Sequence, residues 1–243
     1  MCLTVNMATS TVKLFSPRIV AQTGKKCTAS VIMLHGSGGT GTDIRDTFRI
    51  LLREELSFPH IRFIYPTAPL RPYTLAGQSW NVWFDRIDLG LDGHEQTESV
   101  GAMATQLGEL IDAEVKSGVP LNRIVVGGFS MGGAMALHLG YQFYPQLAGV
   151  IGMSSFLYNK SGVYEALEKR GKDARTPPLR QYHGEEDDLV LYKWGKATHE
   201  KLTSLGVQGE FVSIPNLSHS LNLDLVRSVR EWIAKILPEE HNL

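Results

Sequence analysis

Gly128-Phe129-Ser130-Met131-Gly132 sets a serine between two glycines, directly after the apolar run Arg123–Val126 and before a segment of helical period that reaches Tyr144 and stops at Pro145. A strand, a tight turn and a helix in that order hold a hydroxyl out at the carboxyl end of a sheet, where it can attack a carbonyl carbon. Gly128 and Gly132 are required because side chains there would collide across the turn, and Gly133 and Ala134 let the helix lie close to the strands. In a chain with 24 glycines the five letters alone would carry little. Their place between a strand and a helix singles out Ser130.

A serine hydroxyl is a weak nucleophile and needs a base, which in turn needs a carboxylate to hold its tautomer. On a sheet of this kind the partners follow the serine in the order acid, then histidine, each on a loop after a later strand. Five histidines lie downstream of Ser130. His138 and His199 fall inside helical segments, His241 in the terminal segment, and His183 before the richest acidic loop. His219 follows the strand Glu210–Ile214 and precedes the last helix, so it is the expected base. The acid belongs to His183-Gly-Glu-Glu-Asp-Asp-Leu-Val190, where four carboxylates share one turn. Spacing does not separate them, and Asp188, next to Leu189, could simply cap a helix.

Donors for a developing oxyanion are expected from the Met131 amide and from the loop His35-Gly-Ser-Gly38, with Ser37 N–H as the second donor. The same loop spells G-x-G-x-x-G from Gly36 to Gly41, the fingerprint of a dinucleotide site, and supports a rival reading as an NAD(P)-dependent oxidoreductase. That reading wants an acidic residue ending the next strand to hold a ribose, but the strand ends Ile64-Tyr-Pro-Thr-Ala68. A third reading is a binding protein on a silent hydrolase shell, against which stands the presence of all three residue types of a serine triad.

Short β-branched runs alternate with longer helical segments, which predicts a mostly parallel, twisted central sheet with helices on both faces. The expected strands are Ser30–Leu34, Ile61–Tyr65, Arg123–Val126, Ala148–Met153, Leu179–Tyr182 and Glu210–Ile214. Val100, Met103, Ala104, Leu107, Leu110 and Ile111 recur at helical spacing until Gly118 and Pro120, and a final helix carries Leu225, Val229, Trp232, Ile233 and Ile236. No linker divides the chain, so one domain is expected over residues 11–243, after a loose tail over residues 1–10.

The net charge is −1 with scattered basic residues, which excludes the footprint of a nucleic-acid binder. Two cysteines, Cys2 and Cys27, do not make a disulfide framework, and no apolar run is long enough to span a membrane. A cytosolic protein without integral membrane association is expected. A lipid on Cys2 alone would anchor it only marginally.

Leu34-His-Gly-Ser-Gly, Tyr65-Pro-Thr-Ala-Pro, Trp83-Phe-Asp, Asn122-Arg-Ile-Val-Val-Gly-Gly-Phe-Ser-Met-Gly-Gly-Ala and Tyr182-His-Gly, in that order, resemble the acyl-protein thioesterase and lysophospholipase family of α/β-hydrolases. The likeness runs from about residue 28 to about residue 237. It implies an α/β-hydrolase fold and hydrolysis of acyl esters and of S-acyl groups on proteins, with neither metal nor cofactor. It places the nucleophile on Ser130 and the base on His219, and it selects Asp187, three residues after the His-Gly pair, as the acid. It also sets the segment Leu70–Asp85 beside the acyl site, with Tyr73, Trp83 and Leu189 as pocket residues. Main-line thioesterases have Gln after the nucleophile and Asp-Pro at the acid turn, where this chain has Met131 and Asp187-Asp188. The bulk of Tyr73, Trp80, Trp83 and Phe84 leads us to expect a shallow pocket for short acyl chains.

Overall fold

The computed structural model describes residues 13–240; the expected tail, Cys2 and His241 lie outside them. A seven-stranded sheet is built from β1 (Phe15–Val20), β2 (Ala29–Leu34), β3 (Ile61–Thr67), β6 (Ile124–Phe129), β7 (Gly149–Met153), β8 (Leu179–Gly184) and β9 (Gly209–Ile214), in the order β1-β3-β2-β6-β7-β8-β9. Only β1 runs antiparallel; the other six are parallel. A separate two-stranded hairpin pairs β4 (Leu70–Tyr73) with β5 (Gln78–Asn81).

The strands read as apolar runs because both faces of the sheet are covered. In β2, Val31 and Met33 point into one core and Ile32 and Leu34 into the other, as a period of two demands. Helices α1 (Gly41–Leu52) and α6 (Leu223–Ile236) cover the first face through Ile44, Phe48, Leu225, Val229 and Ile233. On the second lie α2 (Thr97–Lys116), α3 (Met131–His138), α4 (Gly162–Arg170) and α5 (Tyr192–Ser204). The expected parallel sheet with helices on both faces is thus the observed one.

Several elements differ from the expectation. β1 and the β4–β5 hairpin are not legible as strands: β1 is an exposed edge, and Pro72 and Gly77 interrupt the hairpin run. Arg123 lies in a short 3-10 turn, and β6 continues through the two glycines to Phe129. The helix after Ser130 changes from α to π at Leu139, and that wider turn carries it to Phe143.

Asp188 does not cap α5. It is exposed, and α5 starts later, at Tyr192, without a side-chain cap. The amides of Leu189 and Val190 donate instead to Asp187 Oδ1, at 3.1 and 2.9 Å.

Candidate active site

Ser130 is the residue between β6 and α3, with φ 54° and ψ −120°, a conformation that strains any residue with a Cβ. The turn closes because its neighbours lack side chains. A Cβ on Gly128 would stand 2.3 Å from the carbonyl carbon of Gly132, and one on Gly132 would stand 2.4 Å from Leu34 O. The Ser130 amide donates to Met153 O at 2.8 Å and ties the elbow to β7.

His219 lies on the loop between β9 and α6, and Asp187 on the loop after β8. Because β8 and β9 are parallel neighbours, these loops leave the same end of the sheet, and the backbone joins them: Glu185 N–H donates to Ile214 O and Glu186 N–H to Leu217 O. Asn222 caps α6 by accepting the Leu225 amide at 2.9 Å, which fixes where the His219 loop ends.

The three side chains meet. Ser130 Oγ is 3.0 Å from His219 Nε2, and His219 Nδ1 is 2.8 Å from Asp187 Oδ2. A carboxylate only accepts, so Nδ1 carries the proton and Nε2 is free to accept from the serine hydroxyl. Burial by itself would raise the Asp187 carboxyl. The nearby His183 and His219 rings and the hydrogen bond from the Val190 amide outweigh it and hold the group well below the usual carboxylate range.

His183, absent from the expected site, proves to support it. It is fully buried, donates Nε2–H to Val190 O at 2.7 Å and stands 3.4 Å from Asp187 Oδ2. α5 passes so close that a Cβ on Gly195 would be 2.1 Å from His183 Nδ1. The His-Gly pair after a strand was its signal.

The loop from His35 to Gly39 is fastened from three sides. His35 donates Nδ1–H to Gly36 O at 2.7 Å, and its Nε2 accepts the Ala68 amide at 3.0 Å. That arrangement requires a neutral ring, and burial pushes His35 down to about 4. Trp83 Nε1–H donates to His35 O at 2.7 Å, and Gly38 N–H donates to Asn81 O at 2.9 Å. The Ser37 amide meets no backbone acceptor among the described residues, and the Met131 amide opens α3 with no preceding turn to receive it. The two loops touch, with Ser37 Oγ 3.7 Å from Met131 Sδ.

Gly36, Gly38 and Gly41 are explained by close approach. A Cβ on each would lie 3.2 Å from the Phe129 ring, 3.2 Å from the Trp80 ring and 2.1 Å from Tyr65 O, respectively. β3 ends at Thr67 with no acidic residue to hold a ribose.

A cavity of about 440 Å³ opens beside Ser130 and His219. Tyr73 and Leu189 line it, together with Leu75, Ala76, Trp80, Leu89 and Val190. Trp83 does not. It is wholly buried, packed 4.7 Å from the His35 ring, because its indole N–H finds its acceptor inside at His35 O. Phe84 is likewise buried in the core. Arg86 also lines the cavity; set between Asp85 and Asp88 in a run of mixed charge, it carried no pattern to single it out. A second hollow of about 380 Å³ shares Gly36, Ser37, Phe129 and His219 with it and is lined also by Asp43, Ile44 and Leu221. Among the described residues no group of three or more His, Cys, Asp or Glu is arranged to hold a metal.

A mostly parallel sheet carrying a serine on a strained strand-to-helix turn, with an acid and a histidine on the two loops that follow, is the architecture of an α/β-hydrolase. The phospholipase/carboxylesterase family model matches residues 16–237, so the chain belongs to that family and is a serine hydrolase. Lysophospholipase-like protein 1 of Mus musculus is 48% identical over 225 residues, 92% of this chain and 93% of the mouse protein. Acyl-protein thioesterase 1 homolog 2 of Dictyostelium discoideum is 33% identical over 214 residues, 87% of this chain and 94% of its own length. The crystal structure of Zea mays acyl-protein thioesterase 2 superimposes with a TM-score of 0.74 at 30% identity, covering 92% of this chain and all of the maize chain.

Proposed function

We propose that the protein hydrolyses carboxylic esters and S-acyl thioesters through an acyl-enzyme on Ser130. The observation that carries the reading is the hydrogen-bonded chain Ser130–His219–Asp187 at the mouth of the 440 Å³ cavity. His219 Nε2 takes the hydroxyl proton as Oγ attacks the acyl carbonyl, and Asp187 stabilises the imidazolium that forms. The carbonyl oxygen gains charge and is received by the amides of Ser37 and Met131. The same proton then goes to the departing alcohol or thiol. A water, deprotonated by His219, next attacks the acyl-serine, and His219 returns that proton to Ser130 Oγ as the acid leaves.

S-acylated proteins are proposed as substrates alongside small esters, on the strength of two relatives named acyl-protein thioesterases. Short acyl chains are favoured, because the bulky rings of Tyr73 and Trp80, 5.7 Å apart, and the Arg86 charge stand in the wall of the cavity and leave a long apolar chain no open, wholly apolar channel. The cytosol is proposed as its compartment; among the described residues no helix is long and apolar enough to cross a membrane.

The test is labelling by a fluorophosphonate followed by peptide mapping. The label is expected on Ser130, and Ser130→Ala should abolish both labelling and ester hydrolysis while keeping its melting temperature. Undiminished hydrolysis by Ser130→Ala would refute the proposal.

A further inference from the structure

Arg86 is an arginine buried inside the protein. Only 4% of it is exposed, and Nε is buried with no hydrogen-bond partner. Among the described residues its guanidinium makes no ion pair. Three aromatic rings surround it instead, those of Phe156, Phe84 and Tyr158, at 4.6, 5.2 and 5.5 Å. Two carboxylates, Glu95 and Asp88, stand near enough to attract it but form no ion pair with it. Glu95 accepts the Gly162 amide and lies 3.2 Å from His138 Nε2, while Asp88 lies against His94.

A guanidinium has five N–H donors and cannot shed its charge, so burying one without an acceptor is costly. Cation–π contact offsets only part of that. Burial correspondingly depresses Arg86 below the ordinary arginine range. The cavity that Arg86 lines is the one that holds Ser130, and Leu75, Ala76, Leu89, Leu189 and Val190 give it an aliphatic stretch of wall.

We infer that Arg86 is a specificity residue that receives an anionic carboxylate at the far end of a short acyl group, so that the preferred acyl donors are half-esters or half-thioesters of dicarboxylic acids. The aliphatic wall takes the methylenes, the ester carbonyl sits at Ser130 and the terminal carboxylate meets the guanidinium. Hydrolysis consumes one water and releases the dicarboxylic acid and an alcohol or thiol. The inference rests on the reading of Ser130 as nucleophile.

The experiment compares S-acyl esters of N-acetylcysteamine, from glutaryl to suberyl, with their ω-carboxamide counterparts of equal length, following thiol release after subtraction of the uncatalysed rate. At the best length the carboxylate should exceed the carboxamide in kcat/KM by about ten- to a hundred-fold, the worth of a charge-assisted hydrogen bond. In Arg86→Met that ratio should fall to about one or below. Wild-type protein that cleaves both series equally at every length, while cleaving butyryl thioester in a Ser130-dependent way, overturns the inference alone. So does a ratio unchanged in Arg86→Met. If Ser130→Ala cleaves butyryl thioester as well as wild type does, the proposed function itself fails. The wild-type comparison decides the matter even if the variant does not fold.

Discussion

Asp187 accepts the Nδ1–H of His219 on Oδ2 at 2.8 Å, and with Oδ1 it accepts the amides of its own turn, at Leu189 and Val190. One carboxylate therefore shapes the loop on which it sits and orients the ring across from it. Its neighbour Asp188 does neither.

Asp187→Asn should lower kcat by about four orders of magnitude, since an amide can present its N–H to Nδ1 and turn the imidazole to the wrong tautomer. Asp188→Asn, an exposed change, should stay within about 0.5 kcal/mol of wild type in stability and close to it in turnover. Steady-state kinetics and urea melts of the two variants check this; an inactive Asp188→Asn would move the acid by one residue.

Asp187 also predicts a pH dependence of stability. A carboxyl held lower in the folded than in the unfolded state binds protons more readily once unfolded. Its contribution is thus complete above about pH 4, the unfolded value, and is lost as pH falls toward the folded one. The gap in unfolding free energy between wild type and Asp187→Asn should shrink steadily from pH 5 to pH 2 in urea titrations. A gap that does not change with pH would contradict the depressed carboxyl.

Trp83→Phe keeps a buried ring but withdraws the donor from His35 O. An unsatisfied buried carbonyl costs about 1–3 kcal/mol, which should appear as a lower melting temperature. Because that carbonyl belongs to the loop bearing Ser37, kcat should fall more than KM rises. If the loss were confined to KM, Trp83 would be touching the acyl group after all.

Acyl length gives a further test. A methylene buried in an open channel adds about 0.8 kcal/mol, so a deep tunnel would show kcat/KM climbing with length. Here the climb among neutral p-nitrophenyl esters should end after a few carbons, and Trp80→Ala should extend it. Rates from acetate to palmitate, below micelle concentrations, decide; a steady rise through the long chains would mean a deep channel.

The placement of Ser130 and His219, as candidate site residues, is legible in the sequence because local physics marks it: a glycine-flanked elbow holds the serine between strand and helix, and the histidine falls between a β-branched run and a capped helix. The parallel sheet is legible for the same reason, since strands covered on both faces must be apolar throughout. The choice of Asp187 over Asp188 is not local. It depends on which carboxylate the β8–β9 register brings to His219, and four acidic residues in one turn look alike until the neighbouring loop is in place. Trp83 and Trp80 are three residues apart and chemically identical, yet the first is buried against His35 and the second faces the cavity. Arg86 becomes notable only when the rings of Phe156 and Tyr158, some 70 residues away in sequence, close around it. Burial and pairing of side chains are properties of the assembled elements, and no periodicity along the chain encodes them.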